Sequence, residues 1–268
     1  MTKVAITGAA GRMGRTLVAV INEAGDLSLA AAIERPGAPE LGQDIGDLAG
    51  IGQLGVLVTD DLEGVIDRFD VLIDFTVASA TAVNVSICHE HGKPMVIGTT
   101  GLSDEHKEAI KRAAGKIAIA FAPNYSIGVN VLFKLAEIAA TILGDDVDIE
   151  ITEAHHRHKV DAPSGTALGL GEVIARALGR DLAEIAVHGR VGVTGERDRR
   201  QVGFHSIRAG DIVGDHTVMF AGPGERIELT HRAQSRANFA QGAIRAASWI
   251  AARDPGLFDM QDVLGLRD

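Results

Sequence analysis

The residues best suited to chemistry lie in one stretch: Glu153-Ala154-His155-His156-Arg157-His158-Lys159-Val160-Asp161-Ala162-Pro163-Ser164-Gly165-Thr166-Ala167. Three of the 10 histidines fall within four positions here, with Arg157 and Lys159 among them. Histidine titrates near neutrality and moves protons. Lysine brings a positive charge and can donate a proton. Ser164-Gly165-Thr166 then precedes a helix read over Ala167 to Leu178 and closed by Gly179. Ser or Thr at that point is an N-cap signal. A helix N-terminus beside Lys and His is a natural carboxylate site. The segment therefore points to proton donation and anion binding. Three other readings compete with it. A zinc site from His155, His156 and His158 would lack a cysteine partner and a His-x-x-x-His pair on a helix. A Ser164 nucleophile would lack the G-x-S-x-G elbow. A solvated basic loop is the plainest of the three.

A second feature is Gly8-Ala9-Ala10-Gly11-Arg12-Met13-Gly14. It follows the strand-like run Val4–Thr7 and opens a helix read from Arg12 to Ala24, ended by Gly25. That is the context of a dinucleotide-binding turn, where glycines let the backbone approach a pyrophosphate at a helix N-terminus. The spacing is G-x-x-G-x-x-G, a looser relative of G-x-G-x-x-G. Glu34 stands 20 residues after Gly14, at the end of the second strand. A carboxylate there accepts from ribose hydroxyls and favours NAD, while the adjacent Arg35 can meet a 2′-phosphate and favours NADP. Gly98-Thr99-Thr100-Gly101 and Ala122-Pro123-Asn124-Tyr125 each follow a later strand, where open α/β sheets bind ligands. An Arg-rich stretch from Arg190 through Arg197, Arg199 and Arg200 to Arg208 reads as a solvated loop or as a cover over anionic ligands. The segment Arg208 to His216 reads as a turn between strands.

The elements that must carry these residues follow from periodicity. Strand and helix patterns alternate through the first half, which predicts a Rossmann-like doubly wound parallel sheet. After Asn124 the pattern changes. A long amphipathic helix, Ser126 to Leu143, precedes strand-like runs at Asp148–Thr152, Gly203–Arg208, His216–Phe220 and Arg226–His231. These predict a smaller α+β domain with a mixed open sheet. Residues 1–125 and 240–268 are assigned to a dinucleotide-binding domain, and 126–239 to a substrate-binding and oligomerisation domain.

Composition bounds the function. The chain has 268 residues, which at about 150 per domain means one large domain or two modest ones. Hydrophobic residues at 46% offset the entropy of ordering and exclude a disordered chain. Aromatics at 4% argue against stacking on single-stranded nucleic acid, and a net charge of −10 argues against polyanions generally. The single cysteine, Cys88, forms no intramolecular disulfide and fits a reducing compartment. No leader pattern opens the chain, and no window of about 18 uninterrupted apolar residues occurs. The expectation is a soluble cytoplasmic protein, without nucleic-acid or membrane partners and without a metal. Glycine, at 32 residues, is well above the usual level of about 7%.

The motifs at 8–14, at 97–101 (Ile-Gly-Thr-Thr-Gly) and at 153–167 together resemble the 4-hydroxy-tetrahydrodipicolinate reductase (dihydrodipicolinate reductase) family. The likeness runs nearly end to end, through Gly256-Leu257-Phe258-Asp259-Met260. The resemblance implies NADH- or NADPH-dependent reduction of a cyclic dicarboxylic imine, with loss of water, in the diaminopimelate route to lysine. It implies His155 as proton donor or acceptor and Lys159 as proton donor. It implies His156, Gly165 and Thr166 at the substrate, and Gly8, Ala9, Ala10, Gly11, Arg12, Met13, Glu34, Arg35, Gly98, Thr99, Thr100, Ala122, Pro123, Asn124 and Tyr125 at the cofactor. It also implies a homotetramer built through the sheet of the second domain. Two alternatives are a nucleotide-sensing regulator without chemistry and a dehydrogenase of another imino or amino dicarboxylate. The regulator would need the glycine turn but not the His155–Lys159 cluster.

Overall fold

The computed structural model describes residues 1–267. Strand and helix alternate first: β1 (Thr2–Thr7), α1 (Arg12–Glu23), β2 (Leu27–Ile33), α2 (Ile45–Ala49), β3 (Val58–Thr59), β4 (Val71–Asp74), α3 (Ala78–His91), β5 (Met95–Ile97), α4 (Asp104–Ala113) and β6 (Ala118–Phe121). Then follow α5 (Ile127–Leu143), β7 (Asp148–His155), α6 (Gly165–Ala177), α7 (Leu182–Ile185), β8 (Ala186–His188), β9 (Val202–Arg208), β10 (Gly214–Gly222) and β11 (Glu225–Ala233). The chain closes with α8 (Ala237–Ile250), β12 (Gly256–Phe258) and α9 (Met260–Leu264). It divides into two compact units, Met1–Ile127 with Arg236–Asp268, and Gly128–Ser235.

The first unit holds a seven-stranded sheet in the order β12-β6-β5-β4-β1-β2-β3, and every pair in it is parallel. β4 is buried along its whole length, as a strand covered on both faces must be. Chain order reverses between β1 and β4, the switch point where such sheets bind ligands beyond their strand ends. The local signals are legible: Gly92 caps α3 in the left-handed region, and Ser103 and His106 form a capping box on α4. One differs from expectation. α1 ends at Ala24 in extended backbone, its N–H returning to the Ile21 carbonyl, and not through a left-handed Gly25. The short strand β12 pairs with β6 at the sheet edge, so the C-terminal segment completes this unit.

The second unit holds a mixed sheet in the order β11-β10-β7-β9-β8. β7, β9 and β8 run parallel, while β10 is antiparallel to β7 and β11. Burial alternates along β7 and β10, the signature of one packed and one open face. The packed face sets Ile149, Ile151, Val218 and Phe220 against Leu132 and Ala136 of α5 and Leu170 and Ile174 of α6. By length and composition alone the stretch Ile127–Asp146 could cross a membrane, with 20 residues at a mean hydropathy of 1.6. Asn130, Lys134 and Glu137 interrupt it, which is why no uninterrupted apolar window is visible in the sequence. Leu132, Ala136 and Ala140 serve this core, while Val131, Leu135, Ile138 and Ile142 are exposed.

Candidate active site

In the first unit the turn after β1 is shaped by what glycine alone permits. Gly8 has φ +66°, and a Cβ on Gly14 would lie 2.2 Å from the Gly8 carbonyl oxygen. The turn is therefore folded back on the start of α1. The first N–H groups of a helix have no intrahelical acceptor, and Gly11, the N-cap, has no side chain to take them. These groups border a cleft of about 380 Å³ lined by Gly8, Gly11, Arg12 and Met13, by Phe75, and by Pro123, Asn124 and Tyr125. The structure thus gathers much of the expected cofactor set. It also adds Arg236 and Phe239 at the chain's return, which no local sequence signal marks.

The other expected cofactor residues hold this cleft together. Ala9 is fully buried and its N–H is taken by the Ile33 carbonyl at 3.1 Å. Glu34 accepts from the Ala10 N–H (3.0 Å) through Oε1 and from the Arg35 N–H (3.1 Å) through Oε2, so the acid at the end of β2 braces the glycine turn. Each carboxylate oxygen keeps a further lone pair for a ribose hydroxyl. Arg35 is exposed. Tyr125 turns its hydroxyl inward to the Ala120 and Ile97 carbonyls at 2.7 and 3.0 Å, and burial pushes its phenol well above the ordinary value.

Beneath these loops sits Asp74, wholly buried at the end of β4. Its Oδ1 accepts from the Thr76 hydroxyl (2.6 Å) and the Thr76 N–H (3.0 Å), and its Oδ2 accepts from Asn84 (3.0 Å). The Thr99 hydroxyl joins from the next loop at 3.4 Å, and the Thr81 hydroxyl donates to it at 2.8 Å. Thr99 is thus buried in this network, whereas Thr100 is exposed and Ala122 is buried. Gly98 serves packing: a Cβ there would lie 2.1 Å from the Phe75 ring.

In the second unit the period of two places Glu153 and His155 on one face of β7. Register sets Arg208 of β9 opposite His155, and His216 of β10 opposite Glu153. Glu153 is 1% exposed, and its carboxylate accepts from Arg208 at 2.8 and 2.7 Å. The same Oε2 lies 2.6 Å from His155 Nδ1, and the Ser164 N–H donates to Oε1 at 3.3 Å. Burial alone would raise the Glu153 carboxyl, but hydrogen bonds from Arg208, Ser206 and His155 outweigh it and hold it at about 2. A carboxylate that stays ionised makes Nδ1 the donor and leaves Nε2 with the lone pair. Burial also lowers His155, with Glu153 opposing and Lys159 and Arg208 assisting, so the ring is predominantly neutral at pH 7.

Lys159 donates to both oxygens of Asp161 at 2.8 Å. Gly165 opens α6 in open space, with no atom within 4 Å of where a Cβ would stand, and Thr166 follows it. The Ser164 hydroxyl caps α6 by accepting from the Ala167 N–H at 3.2 Å and lies 2.9 Å from His216 Nε2. Both are nearly inaccessible, so this Ser–His pair is a buried cap and not a nucleophile. His156 sends its N–H to the Ile212 carbonyl and rests its ring near His158, 6.1 Å between centroids. Its Nδ1 is buried without a partner among the described residues. No group of His, Cys, Asp and Glu suited to a metal occurs among them either.

The arginine stretch does not act as one surface. Arg190 and Arg197 pair with Glu150 on the open face of the sheet, while Arg208 pairs with Glu153. The segment read as a turn from Arg208 to His216 contributes a site residue at each end. Glu153 opens the motif in the sequence but has no role assigned to it there. The signal that could have found it is its i, i+2 relation to His155.

Comparison with known proteins bears on both halves. The family model for the dihydrodipicolinate reductase N-terminus matches residues 2–125, and the model for its C-terminus matches 128–264. A protein of Alkalilimnicola ehrlichii named 4-hydroxy-tetrahydrodipicolinate reductase is 61% identical over 265 residues, covering 99% of each chain. A solved structure, dipicolinate-bound dihydrodipicolinate reductase from Paenisporosarcina sp. TG-14, superposes with a TM-score of 0.78 at 26% identity, covering 98% of each chain. An amine dehydrogenase from Mycobacterium smegmatis shares the fold, with a TM-score of 0.59 at 14% identity over 96% of this chain and 94% of that one.

Proposed function

The chain belongs to the dihydrodipicolinate reductase family, and on that premise we propose that it reduces 4-hydroxy-tetrahydrodipicolinate to tetrahydrodipicolinate with NADH or NADPH, losing water, in lysine biosynthesis. The glycine turn at the switch point, its uncapped helix N-terminus and the cleft of about 380 Å³ fit a dinucleotide. When bound, the reduced nicotinamide supplies a hydride to ring carbon C4. The chain's own residues do the rest. Gly8, Gly11, Arg12 and Met13 receive the pyrophosphate, and Glu34 and Arg35 meet the adenosine ribose.

The observation that carries the reading is the ordered His155 with Lys159 close by and the open N-terminus of α6 following in the same segment. Addition at C4 leaves electron density on the neighbouring ring carbon, and that carbon needs a proton from His155. The departing hydroxyl needs one from Lys159. The two substrate carboxylates have the Gly165–Thr166 helix end, the Lys159 charge and the orphaned ring nitrogen of His156 to receive them. The second unit is thus read as the substrate domain. The exposed face of its mixed sheet supports its use in a homotetramer, which a solution mass would test. We assign the protein to the cytoplasm.

The test is oxidation of NADPH and of NADH with substrate generated in situ, comparing wild type with His155→Ala and Lys159→Ala. Each variant is expected to lose about 10²–10⁴-fold in kcat, the worth of a general acid or base. Full turnover in both would overturn the assignment. Tight cofactor binding without turnover of any imino acid would favour a nucleotide sensor instead.

A further inference from the structure

Proton transfer at His155 leaves the buried Glu153 and the half-buried Arg208 behind it without a task. We propose that Glu153, clamped by Arg208, is the positioning residue that fixes the His155 tautomer, so that Nε2 first takes a proton from the substrate and then returns it. The inference deepens the reading of His155 above and rests on it.

Glu153 reaches His155 Nδ1 at 2.6 Å, and its two oxygens are also held by both terminal nitrogens of Arg208 and by the Ser164 N–H. A carboxylate clamped on three sides cannot follow the ring, so the ring must meet it with Nδ1–H. The other ring edge faces Gly214, where a Cβ would lie 3.1 Å from Nε2. The His216 ring packs edge-on at 5.1 Å between centroids and limits tilting. Such a ring cannot begin as the acid at Nε2. It begins as a base.

The order of steps then follows. Nε2 takes the proton from the ring carbon between the imine carbon and C4. The hydroxyl leaves C4 and takes a proton from Lys159, departing as water. After reduction at C4, the imidazolium, supported by the Glu153 charge, returns its proton to that same carbon. His155 ends as it began, and the proton consumed is the one that Lys159 regains from solvent. The only electrons the substrate gains are the pair from the reduced nicotinamide named above.

The charged and titratable groups facing His155 are Glu153 on its own strand, Arg208 on β9, His216 on β10, and Lys159 with Asp161 on the following loop. Of these, Glu153 supports the protonated ring and Lys159 and Arg208 oppose it. Glu153→Gln is therefore expected to move the acid limb of kcat/KM to lower pH. It should also lower kcat at least about tenfold, because the amide no longer dictates which ring nitrogen is protonated. The KM for the cofactor should not change. Glu153→Asp should restore the position of the limb. Nitrogen-15 NMR of the histidine rings in the wild-type protein reads the tautomer directly and needs no variant to fold. It is expected to show His155 protonated at Nδ1. A wild-type ring protonated at Nε2, or a Glu153→Gln enzyme with unchanged kcat and an unmoved limb, overturns the inference. If His155→Ala keeps full turnover, the reading of His155 fails and this inference with it. If His155→Ala is inactive while Glu153→Gln behaves as wild type, only this inference fails.

Discussion

Gly98 and Phe75 are in a contact that no other residue at position 98 permits, since a Cβ there would lie 2.1 Å from Cε1 of the ring. Phe75 in turn lines the cleft beside the glycine turn and packs against Tyr125, 5.4 Å between ring centroids. Gly98→Ala must push the ring away, at an overpacking cost of about 1–3 kcal/mol. The expected outcome is a lower Tm with weaker cofactor binding, both partly restored in Gly98→Ala/Phe75→Leu. Thermal melts and cofactor titrations of the single and double variants check this. Additive effects would separate the two residues.

Gly165 is the opposite case, because nothing lies within 4 Å of its missing Cβ. Gly165→Ala should leave Tm unchanged or slightly higher, given the better helix propensity of alanine. If the helix end receives a substrate carboxylate, the methyl crowds it, and KM for the substrate should rise about tenfold with the cofactor KM unchanged. An unchanged substrate KM would remove Gly165 from the site.

Acid should destabilise the protein in two steps. Burial, together with the neighbouring His155, pushes His216 down to about 4 from 6.5. The unfolded chain then binds this proton more readily, so the contribution of neutral His216 is full above about pH 6.5 and is lost as pH falls toward 4. Burial works against the Glu153 carboxylate, but Arg208 and its other donors hold it at about 2 against 4.5. Its share is lost only as pH falls from roughly 4.5 toward 2. Melts recorded across this range should show a falling Tm, with the upper step smaller in His216→Asn, since burial also lowers His155. A wild-type Tm that is flat between pH 7 and pH 4 would contradict the assignment.

Glu34 and Arg35 should divide cofactor preference. Glu34 is held by the Ala10 and Arg35 N–H groups, so its charge stays fixed at the end of β2. Glu34→Ala should weaken NADH more than NADPH, and Arg35→Ala should weaken NADPH more than NADH, each by about tenfold. Titration of both variants with both cofactors checks the pair. Equal losses for both cofactors would make Glu34 a brace of the glycine turn alone.

Much of this was legible because it is local. The glycine turn, the cap at Ser164 and the His155–Lys159 segment are each written in adjacent residues. Arg208 and His216 were not legible because they reach the site through strand register, from more than 50 residues away. Arg236 and Phe239 reach the cleft because the chain returns to the first unit, which a local pattern does not encode. Gly98 was expected to bring backbone to the ligand. The Phe75 ring where its Cβ would stand is a further neighbour, set by packing that a local pattern does not encode. The second sheet was readable as mixed and open because burial on one face leaves alternation in the sequence.

The most direct test of the account is transfer of label. Reduced cofactor carrying deuterium at both positions of the nicotinamide C4 is mixed with enzyme and freshly formed substrate, and the product is examined by mass spectrometry and NMR. The account predicts tetrahydrodipicolinate carrying deuterium at ring carbon C4, formed by wild type and slowed in His155→Ala and Lys159→Ala. An unlabelled product, or no reduced product from wild-type enzyme that binds the cofactor, would contradict it.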